Sequence, residues 1–423
     1  MLRLVIGIVI FLVTLAVIVA RPHRINEALA AGSGAVVMML GQFISPAEAV
    51  SVLANEWNVF GFFLGLMTVS ALADEAGIFE TFVWLAGKWG KGYARRLYFA
   101  VFLIGTLITV FLSNDATALI LTPVVYALVT RLRLPVLPFM FACTFIADTA
   151  SFVLPVSNPI NILVLNSFHS DLGTFLRYLL LPSLFCIAFN TLLFAWLFRH
   201  DLNLRYDLSD LTPAPLGNRG FFRFATAGLG IIAVAYLVAS AEQFPLSIVA
   251  LSGAGMLLLG ARYFHRLDVN KLRREISWSL FVFIGGMFIV VRAVENLGLT
   301  AAFGNRLLQL AGANPLTAIV LTAGSTALGA NLINNVPMAL VMISAVRETL
   351  RAPLGHPALI YATILGADLG PNLTTVGSLA TMLWLLILRR KGLEISTLEY
   401  FKLGVTVVPL MLLMGSLLIW VRL

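Results

Sequence analysis

The chain has 423 residues, of which 60% are hydrophobic and only 11% charged. A soluble domain carries about 25% charged residues, so this chain has too few to cover a water-facing surface, and no stretch is long and polar enough for a separate soluble domain. Net charge is +8, but the basic residues sit in short loops between apolar runs, where they orient a membrane protein, which argues against nucleic acid as a partner.

In chain order, the first half predicts spans near 2–20, 28–44 and 57–73. Two apolar arms follow at 97–112 and 116–130, then a broken span at 136–168 and a last span at 175–198. The segment from Arg199 to Gly220, with Asp201, Arg205, Asp207, Asp210 and Pro213, is a polar linker. The second half predicts spans near 221–240, 245–261 and 278–294, arms at 315–331 and 336–346, a broken span at 357–388 and a last span at 403–422. Leu2 to Ala20 has the outline of a signal peptide, but its counterpart in the second half makes it an ordinary first span. Cys143 and Cys186 both lie in apolar runs, which argues against a disulfide framework or a zinc site. The histidines (His23, His169, His200, His265, His356) all fall in loops, so no buried histidine metal site is expected.

The chain repeats itself. Trp57, Phe60, Phe62, Gly65, Val69 and Gly77 recur at one constant offset as Trp278, Phe281, Phe283, Gly286, Val290 and Gly298, with Asp74 recurring as Glu295. An offset one residue shorter aligns Asn114 with Asn334, Asp148 with Asp368 and Val156 with Val376. Residues 1–198 are thus an N-terminal repeat, 199–220 a cytoplasmic linker and 221–423 a C-terminal inverted repeat. Inversion follows from loop charge. Arg21 and Arg24, Lys88 to Arg96, Arg131 and Arg133, the linker, Arg262 to Arg274 and Arg389 to Lys402 all belong in the cytoplasm. With the paired arms as re-entrant hairpins, each half crosses five times and both termini face outward. The expected fold class is an all-α polytopic membrane protein, an inverted-repeat transporter with two re-entrant hairpins and two broken helices, about ten spans in total.

Ionisable groups inside hydrocarbon are costly and usually functional. Here they are Asp115, Asp148 and Asp368, while Asp74, Glu75, Arg292 and Glu295 lie nearer span ends. Asp115 sits in Ser113-Asn114-Asp115-Ala116-Thr117, at the tip between two arms, where Asn or Asp caps the next helix. Its repeat partner is Asn334-Asn335, followed by Val336-Pro337. After Asp148 comes Pro155-Val156-Ser157-Asn158-Pro159-Ile160-Asn161, and after Asp368 comes Gly370-Pro371-Asn372-Leu373-Thr374-Thr375-Val376-Gly377-Ser378. Neither stretch continues as an unbroken helix. Asn158 before Pro159 reads as an N-cap and N1 pair, with Ser378 as the matching cap. The bland alternatives are plain capping and packed kinks. Four helix N-termini meeting near the midplane would instead offer N–H donors and positive dipole ends. Such a cavity suits an oxygen-rich solute, neutral or anionic. A thiol-binding role for the two cysteines is the less economical reading, since they read as small buried residues.

These segments resemble the ArsB-type arsenite efflux permeases of the ion transporter superfamily. The likeness rests on Ser113 to Pro123, on Ala147 to Ser151 with Val156 to Asn158 and Asn161-Ile162, and on Asn334 to Pro337. Its most specific part is Asp368-Leu369-Gly370-Pro371 with Gly377 to Trp384. The resemblance implies secondary efflux of arsenite and antimonite, As(III) and Sb(III), across the cytoplasmic membrane in exchange for protons. Arsenite near neutral pH is a small uncharged trihydroxide, and Asn, Thr and Ser supply both donors and acceptors for it. The candidate substrate-binding residues are Asn114, Asp115, Thr117, Asn158, Asn161, Asn334, Asn335, Thr374, Ser378 and Thr381. The candidate proton carriers are Asp148, Asp368 and Asp115, since a desolvated carboxylate loads and releases a proton nearer neutrality. Members of the family commonly carry Lys after Asp-Leu-Gly-Pro, where this chain has Asn372. The family also works with a separate soluble ATPase subunit, and a homodimer is expected from the superfamily. No cofactor is implied, and with no nucleophile–base pair the chain is not expected to be an enzyme.

Two transporters of related fold compete. A sodium/proton antiporter would use the same aspartates. A sodium-coupled dicarboxylate carrier would carry Ser-Asn-Thr in both breaks, against Ser157-Asn158-Pro159 and Gly377-Ser378-Leu379 here. A passive channel or a membrane docking subunit for a soluble partner is the reading from another class, and uphill flux driven by a pH gradient separates it.

Overall fold

The computed structural model describes residues 2–20, 26–213, 217–350 and 356–423; Arg21, His23 and Arg24 of the first basic loop lie outside them. The described residues are helical throughout, apart from loops and an isolated bridge between Tyr93 and Arg205. The first half runs α1 (Leu2–Ala20), α2 (Glu27–Leu40), α3 (Pro46–Asn55), α4 (Trp57–Glu75) and α5 (Ile78–Trp89). It continues with α6 (Ala94–Phe111), α7 (Asn114–Ala116), α8 (Thr122–Arg131), α9 (Val136–Thr149), α10 (Pro159–Phe168) and α11 (Leu172–Leu197). The second runs α12 (Arg219–Ala241), α13 (Leu246–Tyr263), α14 (Val269–Glu275), α15 (Trp278–Asn296) and α16 (Leu299–Ala311). Then come α17 (Pro315–Ile333), α18 (Asn335–Thr349), α19 (Ala358–Leu369), α20 (Leu379–Arg390) and α21 (Thr397–Trp420). Among the described residues, eight helices are long and apolar enough to cross a membrane, and α1, α2, α9 and α10 are shorter apolar helices. The broken spans are α9–α10 and α19–α20. The short helices α3, α5, α14 and α16 were not among the expected spans; they are too short or too polar to read as membrane crossings.

The repeated residues each have a structural reason. Trp57 and Trp278 start α4 and α15 and are half exposed, as suits an indole at a membrane–water boundary. Gly77 and Gly298 take φ of +79° and +75° in the turns before α5 and α16, a conformation that favours glycine. Gly65 lets α4 touch the backbone of α13: a Cβ there would lie 2.5 Å from the Ala250 carbonyl carbon. Gly286 does the same for α15 on α2, 2.7 Å from the Ala31 carbonyl carbon. Phe60 and Phe281, equivalent positions, stack on each other at 6.4 Å. A residue that touches its own repeat mate lies beside the axis relating the two copies. Phe60, early in α4, also meets Phe288 in the second half of α15, and Asp74 at the end of α4 faces the same cavity as Trp278 at the start of α15. Equivalent helices therefore run in opposite senses, which is the geometry of an inverted repeat.

The basic loops gather at one end. The linker meets the α5–α6 turn through Tyr206, whose hydroxyl donates to the Gly87 carbonyl at 2.5 Å. It meets the end of α8 through Arg131, which donates to Thr212, and Tyr126 donates to the Lys391 carbonyl at 3.3 Å. Arg266 and Lys271 pair with Glu75 at 2.6 and 2.8 Å. Tyr93 before α6 and Arg131 at the end of α8 thus both face the linker, so α6 to α8 is a hairpin that returns to its own side, although α6 alone is long enough to cross. Near the two chain ends, Arg3 donates to the Gln42 carbonyl at 2.6 Å and Arg177 to the Arg422 carbonyl at 3.2 Å. In the loops, Asp171 and Asp268 cap α11 and α14. The backbone N–H groups of Thr174 and of Lys271, respectively, hold their carboxyls below the ordinary range.

Adding one methyl at Gly65 or Gly286 forces backbones apart. Gly65→Ala or Gly286→Ala is expected to destabilise the protein by about 1–3 kcal/mol, read as a lowered unfolding temperature in detergent. Gly230→Ala on α12, where nothing lies within 4 Å, is expected to leave that temperature unchanged or slightly raised.

Candidate functional site

Four helices begin inside the molecule. The tip of the first hairpin is capped by Ser113, whose Oγ accepts from the Ala116 N–H at 3.1 Å. The second tip is capped by Asn334, whose Oδ1 accepts from Val336 N–H at 3.4 Å. The expected pairing of Asn114 with Asn334 is therefore corrected: the caps keep the longer offset, and Asn114 matches Asn335. The extra residue of the first half falls after the tip. The π-helical segment Thr117–Leu121 lies there, and a π turn is wider than an α turn.

The two breaks are capped as their sequences suggest. Asn158 Oδ1 accepts from Ile160 N–H at 3.1 Å with Pro159 in the first turn of α10. Ser378 Oγ accepts from Thr381 N–H at 3.1 Å at the start of α20. The aspartates cross over between halves. Asp368, of the second half, accepts from the amide of Asn158, the cap of α10 in the first. Asp148, of the first half, accepts from Thr381 Oγ1, in the first turn of α20 in the second, at 3.5 Å. Both aspartates are 1% exposed, so each carboxylate is taken out of water to meet a helix start belonging to the other copy. Among the described residues, the main groups acting on them are carboxylates, amides and hydroxyls, those of Asp115, Asn114, Thr381, Asn158 and Ser151 included. Asn335 joins the same core through its N–H, which donates to the Gly377 carbonyl at 3.1 Å.

A cavity of about 890 Å³ leads in from the linker end. Its mouth carries Asp74, Glu80, Arg274 and Glu275, and its inner end is Ser113 and Asp115 at the hairpin tip. Asp115 thus faces open space, while Asp148 and Asp368 lie deeper.

The other expected substrate residues are placed unequally. Thr117 turns inward on its own hairpin and shares a hydrogen bond with Thr109 at 2.7 Å. Asn161 closes the break of its own span, donating to the carbonyls of Ser151 at 2.7 Å and Leu154 at 3.3 Å. Thr374 donates to Asn331 Oδ1 at 2.7 Å, and Asn331 holds the Gly370 carbonyl. Thr117 braces the hairpin and Asn161 and Thr374 the breaks, whereas Asn114, Asn158, Ser378 and Thr381 surround the aspartates. Cys143 and Cys186 are buried, unpaired thiols. Among the described residues no group of His, Cys, Asp or Glu is arranged to hold a metal ion.

The sequence model of the family described as arsenical pump membrane protein matches residues 6–421. The chain belongs to the ArsB arsenical pump family. It is 31% identical over 401 residues to the arsenical pump membrane protein of Escherichia coli, covering 94% of each chain. It is 26% identical over 427 residues to the putative arsenical pump membrane protein of Bacillus subtilis, covering 95% of this chain and 96% of that one. Among solved structures it is similar in fold to the YdaH transporter of Alcanivorax borkumensis, described as having an unusual topology. The TM-score is 0.60 at 15% identity, over 88% of this chain and 86% of the other. This ArsB-family chain is accordingly a multi-pass membrane transporter of the arsenic efflux class.

Ser113 stands inside the first motif but was not read as its cap, and two polar residues around the core of this family member escaped the motifs altogether. Ser113, the true tip cap, was visible one residue before the Asn-Asp pair. Asn331 and Asn190 are single amides within the apolar helices α17 and α11, a signal that intramembrane polarity alone provides. Replacing Asn158 with Ala removes both the cap of α10 and the donor to Asp368. The expected loss is about 1–3 kcal/mol, seen as a lower unfolding temperature, with Asn158→Ser, which keeps a capping oxygen, less affected than Asn158→Ala.

Proposed function

We propose that this protein exports arsenite and antimonite across the cytoplasmic membrane in exchange for protons, with residues 1–198 and 221–423 as inverted repeats joined by a cytoplasmic linker at 199–220. The single observation that carries this reading is the crosswise contact of Asp148 and Asp368 with helix starts of the opposite copy. The basic loops at the linker end belong in the cytoplasm, so the large cavity opens inward and both termini lie outside. A neutral trihydroxide entering there meets Asp115 and Asn114, then the helix starts at Asn158 and Ser378, whose side chains and N–H groups match its hydroxyls.

Proton coupling follows from the same contacts. An ionised carboxylate is attracted to a helix N-terminus by charge and dipole. A proton on it weakens that attraction, so loading Asp148 or Asp368 loosens the tie between copies. Among the described residues no lysine or arginine is a main group acting on them, so proton movement and conformational change are linked through these two contacts.

The test is uptake of As(III) into everted membrane vesicles with an imposed gradient, acid inside. The wild type is expected to accumulate As(III) uphill, and Asp148→Asn and Asp368→Asn to abolish the gradient-driven part. Absent uptake, with sodium dissipating the proton gradient instead, would replace arsenite export with sodium/proton antiport. As(III) flux that only runs downhill would make the protein a channel.

A further inference from the structure

A second cavity opens far from the linker. Its walls are α10, the start of α4 and the α12–α13 turn, with Leu172 of α11. Two helices fix its position. α11 runs 26 residues from Leu172 to Leu197, just before the linker, and α12 runs 23 residues from Arg219, just after it, to Ala241. At about 1.5 Å per residue those lengths put the recess roughly 35–40 Å from the linker, the thickness of a bilayer.

The recess holds about 340 Å³, room for a small solute with its first waters, each of which takes about 30 Å³. It narrows from exposed Asn166 and Gln243 to buried Pro155 and Ile162. Pro155 opens the turn Pro155–Ser157, and the next residue is Asn158, the cap of α10 and the donor to Asp368. The larger cavity ends instead at the hairpin tip with Asp115, whose charge acts on Asp148. The two cavities thus approach the crosswise contacts by different routes, one from the linker end and one from the far end.

Their chemistry differs. The mouth of the larger one carries Asp74, Glu80, Arg274 and Glu275. The recess is lined by Asn55, Asn58, Asn166, Ser170, Ser240 and Gln243; among the described residues its one titratable side chain is His169, and no Asp, Glu, Lys or Arg lines it. Ser170 shares a hydrogen bond with Tyr361 of α19 at 2.5 Å, and Asn58 Oδ1 accepts from the Ser247 N–H at 3.0 Å. The side chains of Asn55, Asn166, Ser240 and Gln243 have no hydrogen-bond partner among the described residues, so their donors and acceptors are free to meet a solute. Amides and hydroxyls donate and accept at once, which matches a solute made of hydroxyl groups. An ion would find no fixed opposite charge here to replace its water.

We propose that this recess is an outer binding site for a small uncharged polyhydroxylated solute, where arsenite rests before release, with Asn166 and Gln243 contacting it from opposite walls. The site rests on the arsenite reading above.

The experiment measures As(III) uptake with an acid-inside gradient in everted vesicles, which load from the linker face, and in right-side-out vesicles, which load from the far face. Asn166→Leu and Gln243→Leu remove the polar groups at similar size, and both positions are exposed, so folding is expected to be unaffected. Each is expected to raise the half-saturating As(III) concentration at the far face by about two- to tenfold, with that at the linker face unchanged. A general loss of folded protein would lower the maximal rate and move neither concentration. Wild-type uptake whose half-saturation the replacements leave alone at both faces, or raise equally at both, would overturn this site and leave arsenite export standing. Wild-type protein that takes up no As(III) from either face would overturn the two together.

Discussion

Two buried carboxylates, with no cationic side chain among the main groups acting on them in the described residues, are the constraint around which this core is built. An isolated carboxylate inside a membrane protein is expensive unless dipoles and hydrogen bonds stand in for water. Here the stand-in comes from broken helices. A continuous span would spend every backbone N–H on itself. A span that stops and restarts at Asn158-Pro159 or at Ser378 places a capped helix start in the interior, and the aspartate of the opposite half accepts from a side chain of that start. The break in each copy thus serves the charge of the other, and neither half has a complete polar core alone.

The same constraint explains the bracing. Irregular backbone at this depth needs partners that lipid cannot supply. Asn161 takes the carbonyls of Ser151 and Leu154, Asn331 takes those of Ala327 and Gly370, and Ser157 donates to the Val110 carbonyl at 3.0 Å. Amides and hydroxyls that read as one substrate-binding group divide into those that hold the breaks open and those that face the aspartates. Residue type alone did not separate them, because both tasks ask for short side chains that donate and accept.

Much of the architecture was legible because it is periodic or local. Spans follow from run length, breaks from proline, and the caps at Asn158 and Ser378 from the residue before the restart. The hairpin tip was misplaced by one residue, because Ser113, Asn114 and Asp115 are all good caps and only backbone geometry chooses among them. The short helices α3, α5, α14 and α16 escaped because they are brief or polar, not continuous apolar runs. The crosswise pairing of Asp148 with Thr381 and Asp368 with Asn158 was beyond reach, since it depends on how two distant segments are brought together by the scaffold. Asn190 was present in the sequence as a lone amide in a long apolar helix, but its neighbours are set by tertiary packing.

The two copies are alike in sequence pattern and unlike in state. Glu295 ends α15 and pairs with Arg292 at 2.7 Å and with Arg347 of the second hairpin at 3.8 Å, which ties hairpin to scaffold at the end away from the linker. The matching residue Asp74 faces the large cavity, and the stretch matching Arg347, Tyr126-Ala127, contributes Ala127 to the wall of that cavity. Asp74 is tied instead to Lys271 at 3.8 Å, within the scaffold. The second hairpin is thus closed onto its scaffold helix where the first stands off. Phe60 and Phe281, on the equivalent helices α4 and α15, stack on each other, so the two scaffold helices meet at matching positions while the residues near their ends hold different partners.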